Sequence, residues 1–162
     1  MKDGDEATRE SRLVAACKER GLTVATAESC TGGLIAARIT SVSGSSAIFL
    51  GGVVSYANAV KRDLLGVPQE VLERAGAVSK ECAEAMAAGV RARLQADVAV
   101  SVTGVAGPDG GTPQKPVGLV YIGMATVVGV RVECCQFCGD REAIRKQASD
   151  RALALLLDAA VS

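Results

Sequence analysis

The chain has 162 residues, 49% of them hydrophobic and only 2% aromatic, with no tryptophan and no histidine. That length fits one domain, and its core must be aliphatic, built from alanine, valine, leucine and isoleucine. Basic and acidic residues cancel at 18 each, so the composition lacks the basic excess of a nucleic-acid binder. No apolar run reaches the roughly 18 residues of a membrane span. The polar start, Met1-Lys2-Asp3-Gly4-Asp5-Glu6, is unlike a secretory signal. The expectation is a cytoplasmic domain with neither nucleic acid nor membrane as a partner.

Leu13, Val14 and Cys17, with flanking alanines, recur at helical spacing over 7–20, and Gly21 ends that helix. A short buried strand is predicted over 22–27. Ser29 follows in a turn, then a helix over 33–40 and a Ser/Gly cluster over 41–46. Residues 48–56, rich in Val, Ile and Phe, predict a second strand despite Gly51 and Gly52. Asn58 suits the N-cap of a helix ending at Leu65, before Gly66 and Pro68, and a helical turn follows over 69–74. The longest central helix starts at Ser79 and runs to residue 94. A β-branched strand over 98–103 enters the glycine-rich loop 104–111. Strands over 117–128 and 130–138 form a hairpin about Gly129, and Asp140 caps a last helix over 141–160. Helices alternating with buried strands, closed by a hairpin and a helix, predict a single α/β domain: a three-layer α/β/α sandwich with a mixed sheet.

Six cysteines do not imply disulfides in a chain of this kind. Cys17 and Cys82 read as small buried hydrophobes. Cys135 and Cys138 form a Cys-x-x-Cys pair, but tetrahedral zinc would need two further ligands and no histidine can serve. No metal site is expected.

Without imidazole, any activated hydroxyl must lean on lysine, tyrosine or a carboxylate. Ser29 lies where a strand meets a helix, so its hydroxyl projects past the carboxyl end of the strand, where ligands collect in open α/β sheets. Helix-start amides near Thr31, Gly32 and Gly33 can face an oxyanion. The same pattern also fits a simple helix cap with a tight glycine turn. Cys30 competes as nucleophile, yet adjacent residues leaving a strand face opposite sides. Tyr56 and Lys61 flank a strand-to-helix junction. A desolvated lysine can act as a base, with tyrosine relaying a proton or holding the lysine in place; the alternative is a surface lysine on an amphipathic helix. Gly44, Ser45 and Ser46, and likewise Thr103, Gly104, Ala106 and Gly107, combine hydroxyls with glycines as phosphate cradles do. Arg141 and Arg145 share a helix face and suit a phosphate clamp or a solvated surface.

Five ordered segments then carry a resemblance: Thr26-Ala27-Glu28-Ser29-Cys30-Thr31-Gly32-Gly33, Ser55-Tyr56-Ala57-Asn58 with Lys61, Thr103-Gly104-Val105-Ala106-Gly107-Pro108-Asp109-Gly110-Gly111, Lys115-Pro116-Val117-Gly118, and Gly139-Asp140-Arg141. Together they resemble the CinA C-terminal domain family, which includes nicotinamide mononucleotide amidohydrolases. The resemblance implies deamidation of nicotinamide mononucleotide to nicotinate mononucleotide with release of ammonia, in pyridine nucleotide salvage and without a cofactor. It implies Ser29 as nucleophile, with Tyr56 and Lys61 as activating partners. Amides over Cys30–Gly33 and the Thr103 hydroxyl are then expected about the oxyanion. The 43–46 cluster, the 104–108 loop and Arg145, with Arg141 nearby, are expected about ribose and phosphate. The other class of function is a nucleotide-binding or assembly module without turnover. The alanine-rich helical surface leads us to expect a homo-oligomer, with a dimer as the simplest form.

Overall fold

Five strands, β1 (Val24–Glu28), β2 (Phe49–Val54), β3 (Val98–Gly104), β4 (Leu119–Thr126) and β5 (Gly129–Gln136), make one sheet in the order β2-β1-β3-β4-β5. The computed structural model describes residues 7–162; the polar stretch 1–6, on which the expectation about secretion rests, lies outside them. β2, β1 and β3 run parallel, whereas β4 and β5 turn back antiparallel. Helices α1 (Arg9–Arg20), α2 (Leu34–Thr40) and α6 (Arg141–Val161) cover one face. Helices α3 (Asn58–Leu65), α4 (Gln69–Arg74) and α5 (Lys80–Leu94) cover the other. The fold is the three-layer α/β sandwich with a mixed sheet that the chain order predicts. The differences are at strand ends: β1 begins at Val24 and runs on to Glu28, and β2 stops at Val54, short of Tyr56. Among the described residues no helix is long and apolar enough to cross a membrane.

Side chains of successive strand residues point to opposite faces. Val24, Val98, Val100 and Val102 therefore meet α1 and α6, while Ala25, Ala27 and Ala99 meet α5. The difference in size sets the layer spacing. Against the small face α5 approaches closely enough that the Ser101 hydroxyl donates to the Ala83 carbonyl at 2.6 Å. A Cβ on Gly123 would sit 2.6 Å from that same oxygen.

α5 also meets the end of α3 at Gly89, where a Cβ would overlap the Leu65 carbonyl. Neither helix can relieve that overlap by a side-chain rotation, because the obstructing atom is backbone. Gly89→Ala is therefore expected to cost about 1–3 kcal/mol despite its better helix propensity. The cost would be read as a lower urea midpoint at unchanged m-value. A wild-type midpoint would show that α3 gives way freely.

Candidate active site

β1 delivers Glu28 and Ser29 to the carboxyl edge of the parallel strands, where the Ser29 amide still donates to Val102 of β3 at 2.9 Å. The chain then reverses through Gly32 (φ +60°) and Gly33 (φ +101°) into α2. Glycine adopts those left-handed angles without a Cβ penalty. Gly33 occupies the N-cap position of α2 and has no side chain with which to cap it. The cap comes from β1 instead: the buried Glu28 carboxylate accepts from the Ile35 amide at 2.9 Å and the Ala36 amide at 3.1 Å. The first-turn amides of α2, read from the sequence as facing a ligand, are thus partly taken by the protein's own carboxylate.

The second half of the site arrives from β2. The Ser55 amide donates to the Glu28 carbonyl at 2.8 Å, and α3 begins three residues later. One turn into α3, Lys61 is 1% exposed. Its Nζ lies 3.0 Å from Ser29 Oγ, 2.6 Å from the Ser55 carbonyl oxygen and 3.2 Å from that of Tyr56. Among the described residues no carboxylate pairs with it.

Burial pulls the Lys61 amine below the ordinary lysine range, and nearby Cys82 and Cys30 act the other way. That opposition needs thiolates, however, and burial pushes both thiols up to about 11. At neutral pH they are uncharged and give the amine no anion. The three contacts also limit where the hydrogens of the amine point. Carbonyl oxygens only accept, so two N–H groups go to Ser55 and Tyr56. The remaining tetrahedral position faces Ser29 Oγ: an ammonium donates its third N–H there, and in a neutral amine that position is the lone pair.

Ser29 and Lys61 stand in a cleft of about 300 Å³. Cys30, Tyr56, Thr103, Gly104, Ala106, Gly107 and Arg141, all named from the sequence, line it. So do Val105, within the expected 104–108 loop, and Asn58, Ala77, Val78, Asp109 and Gly110, which the sequence reading does not single out as site residues. Cys30 also contributes to the core under α1, α2 and α6. Its raised thiol is a poor nucleophile at neutral pH.

Several expected contacts are corrected by the geometry. The Tyr56 ring is exposed and its hydroxyl accepts from Arg141 at 3.1 Å; its contact with Lys61 is made by the main-chain carbonyl. The Thr103 hydroxyl donates to the Ala77 carbonyl at 2.8 Å, so its proton is committed to the cleft wall rather than free for an oxyanion. Thr31, Gly32 and Gly33 shape the turn without lining the cleft, and the Thr31 hydroxyl is buried without a protein partner among the described residues. Arg141 lines the cleft and donates to the Gly107 carbonyl at 2.7 Å. Arg145 is instead turned onto the carbonyls of Cys30 and Thr31 at 3.1 and 3.0 Å.

Gly44, Ser45 and Ser46 are not in the cleft at all. They precede β2, whose first residue pairs with Val24 at the start of β1, and Gly44 lies beside Lys18 of α1. In a strand–helix–strand crossover the helix runs back along the sheet, so the loop after α2 sits at the edge opposite Ser29. Cys134 and Cys138 are exposed, and among the described residues no cluster could hold a metal.

A family model for the CinA C-terminal domain matches residues 6–160. The chain belongs to the CinA C-terminal domain family. It is 54% identical over 138 residues to a putative competence-damage inducible protein of Halothermothrix orenii, across 85% of this chain and 33% of that protein. It is 52% identical over 154 residues to a CinA-like protein of Akkermansia muciniphila, across 94% of this chain and 37% of that protein. The chain thus spans about a third of the length of the curated relatives it matches. Among solved structures, the competence/damage inducible protein CihA of Agrobacterium tumefaciens superposes with a TM-score of 0.93 at 42% identity, covering 100% of this chain and 99% of that one. A CinA superfamily protein from Escherichia coli superposes with a TM-score of 0.88 at 33% identity, covering 98% and 94%. The CinA C-terminal fold therefore extends over the sheet, both helical layers and the cleft.

Proposed function

We propose that this CinA-family chain is a serine amidohydrolase that deamidates nicotinamide mononucleotide to nicotinate mononucleotide, with Ser29 as nucleophile and Lys61 as general base. The observation that carries the reading is Lys61 Nζ, buried without a counter-ion among the described residues, 3.0 Å from Ser29 Oγ. A lysine stripped of solvent yields its proton more readily and can serve as a base near neutrality. Lys61 takes the Ser29 proton as Oγ bonds to the carboxamide carbon. It returns that proton to the departing nitrogen as the C–N bond breaks, and ammonia leaves. Water, deprotonated by the same amine, then hydrolyses the ester and restores the Ser29 hydroxyl. Turn amides about Cys30 hold the oxyanion in each half-reaction.

The Tyr56 carbonyl orients Lys61, while its hydroxyl holds Arg141 at the mouth of the cleft. Arg141 and the loop carrying Gly104, Ala106 and Gly107 are the groups on hand for the ribose phosphate, since a guanidinium matches phosphate geometry. The test is ammonia release from nicotinamide mononucleotide and from free nicotinamide. The nucleotide is expected to turn over with kcat/KM at least about 100-fold above the free base, because remote binding energy is spent at the reacting carbon. Binding of the nucleotide without ammonia release would leave a ligand-binding module and overturn the hydrolase reading.

A further inference from the structure

We propose that Arg145 is a positioning residue for the oxyanion site: it holds the turn after Ser29 so that the amide of Cys30, the turn residue that lines the cleft beside Ser29, faces the reacting oxygen. The inference rests on the serine amidohydrolase reading above. Arg145 stands on α6, distant in sequence from this turn, yet its Nε donates to the Cys30 carbonyl at 3.1 Å and its Nη2 to the Thr31 carbonyl at 3.0 Å. In a trans peptide the C=O and the following N–H point in opposite directions. Among the described residues the cis peptide is at Gly107–Pro108, outside this turn. Drawing the Cys30 carbonyl onto the guanidinium therefore turns the Thr31 N–H to the opposite side. By the same rule, the Ser29 carbonyl accepts from the Gly32 amide at 3.0 Å, which turns the Cys30 N–H away from that contact.

Most other amides nearby have acceptors, Gly33 of the turn excepted among the described residues. Ser29 donates to Val102, Leu34 to Thr31, and Ile35 and Ala36 to the Glu28 carboxylate. The amides of Cys30 and Thr31 have no backbone acceptor among the described residues, and the Cys30 amide meets only its own thiol. Charge reinforces the geometry. No carboxylate pairs with Arg145 among the described residues, so its charge bears directly on the peptide units. A cation at the carbonyl side polarises the amide and strengthens the N–H on the far side as a donor. Glu28 fixes the other end of the turn by capping α2, so the segment is braced by a cation and an anion. Arg145 does not line the cleft, which separates this role from a phosphate clamp.

Arg145→Lys keeps the charge but cannot span two carbonyls as the guanidinium fork does. Three quantities are compared with the wild type: kcat and KM for nicotinamide mononucleotide, the same for nicotinamide riboside, which lacks the phosphate, and the rate at which a fluorophosphonate modifies Ser29, followed by intact mass. Arg145→Lys is expected to lower kcat by about 10²-fold with little change in KM, by the same factor for both substrates, and to slow phosphonylation in parallel. A loss carried by KM and confined to the phosphorylated substrate would make Arg145 a phosphate ligand and overturn the proposal. Unchanged kcat and unchanged phosphonylation would overturn it as well. If the wild type releases no ammonia but Arg145→Lys still slows phosphonylation, the amidohydrolase reading falls and the positioning role stands. Should Arg145→Lys fail to fold, Arg145→Gln is read in the same three measurements.

Discussion

Ser29→Ala is expected to release ammonia from nicotinamide mononucleotide about 10⁴-fold more slowly than the wild type, or worse. Its stability should stay within about 0.5 kcal/mol of wild type. Among the described residues the hydroxyl makes one contact, with Lys61 Nζ, and the amine keeps the Ser55 and Tyr56 carbonyls when that contact goes. The backbone of the turn is held independently by Val102, Arg145 and Glu28, so the loss would be chemical rather than conformational. Cys30 cannot take over, because burial holds its thiol at about 11 and thus protonated at neutral pH. A Ser29→Ala protein that kept more than about a hundredth of wild-type turnover would be inconsistent with nucleophile loss and would point to direct attack by water.

Lys61→Arg is expected to lower kcat/KM by about 10³-fold, since a guanidinium stays protonated and cannot act as a base. In the wild type, activity should rise with pH as Lys61 loses its proton, with a midpoint below the ordinary lysine value because burial disfavours the ammonium. The same shift has a stability consequence of defined sign. Between the lowered folded pKa and the ordinary unfolded one, the unfolded chain binds more protons than the folded chain, so stability climbs with pH across that window. Below the folded pKa the burial penalty is carried in full; above the unfolded pKa it is gone. Urea midpoints measured across that range should show this climb in the wild type and lose it in Lys61→Met. An identical slope in both proteins would mean that the buried ammonium costs nothing.

The layer order and most element boundaries were legible because they rest on local signals. Gly21 and Gly66 do end helices in the left-handed conformation, and Asp140 does cap α6 through the Ala143 amide. Ser29 and Lys61 meet as their motif types suggest, since a strand-end turn and a following helix both face the carboxyl edge of the sheet. Hydroxyls and glycines at 43–46 mark a turn but not the edge it occupies; the direction of α2 decides that. Tyr56 was misleading for a related reason. Residue type advertises the phenol, whereas the contact with Lys61 is made by a main-chain oxygen that every residue possesses. Arg141 and Arg145 share a helix face, yet one turn of α6 separates the cleft from the underside of the Ser29 turn. Ala77 and Val78 line the cleft without any chemical mark in their side chains. Glu28 did carry a signal, as the one charge closing an otherwise uncharged buried strand, but the amides it would cap lie on a helix that only the folded chain brings back.

The seam between α5 and the sheet also bears on how such a domain can diversify. Gly89 and Gly123 leave no room for even one added carbon, so that side of the molecule is frozen, and with it the geometry of β1 and β3. Asn58 and Asp109, by contrast, reach the cavity from solvent-facing segments. Descendants of this architecture can exchange what they accept by editing the rim, while the machinery beneath is inherited intact.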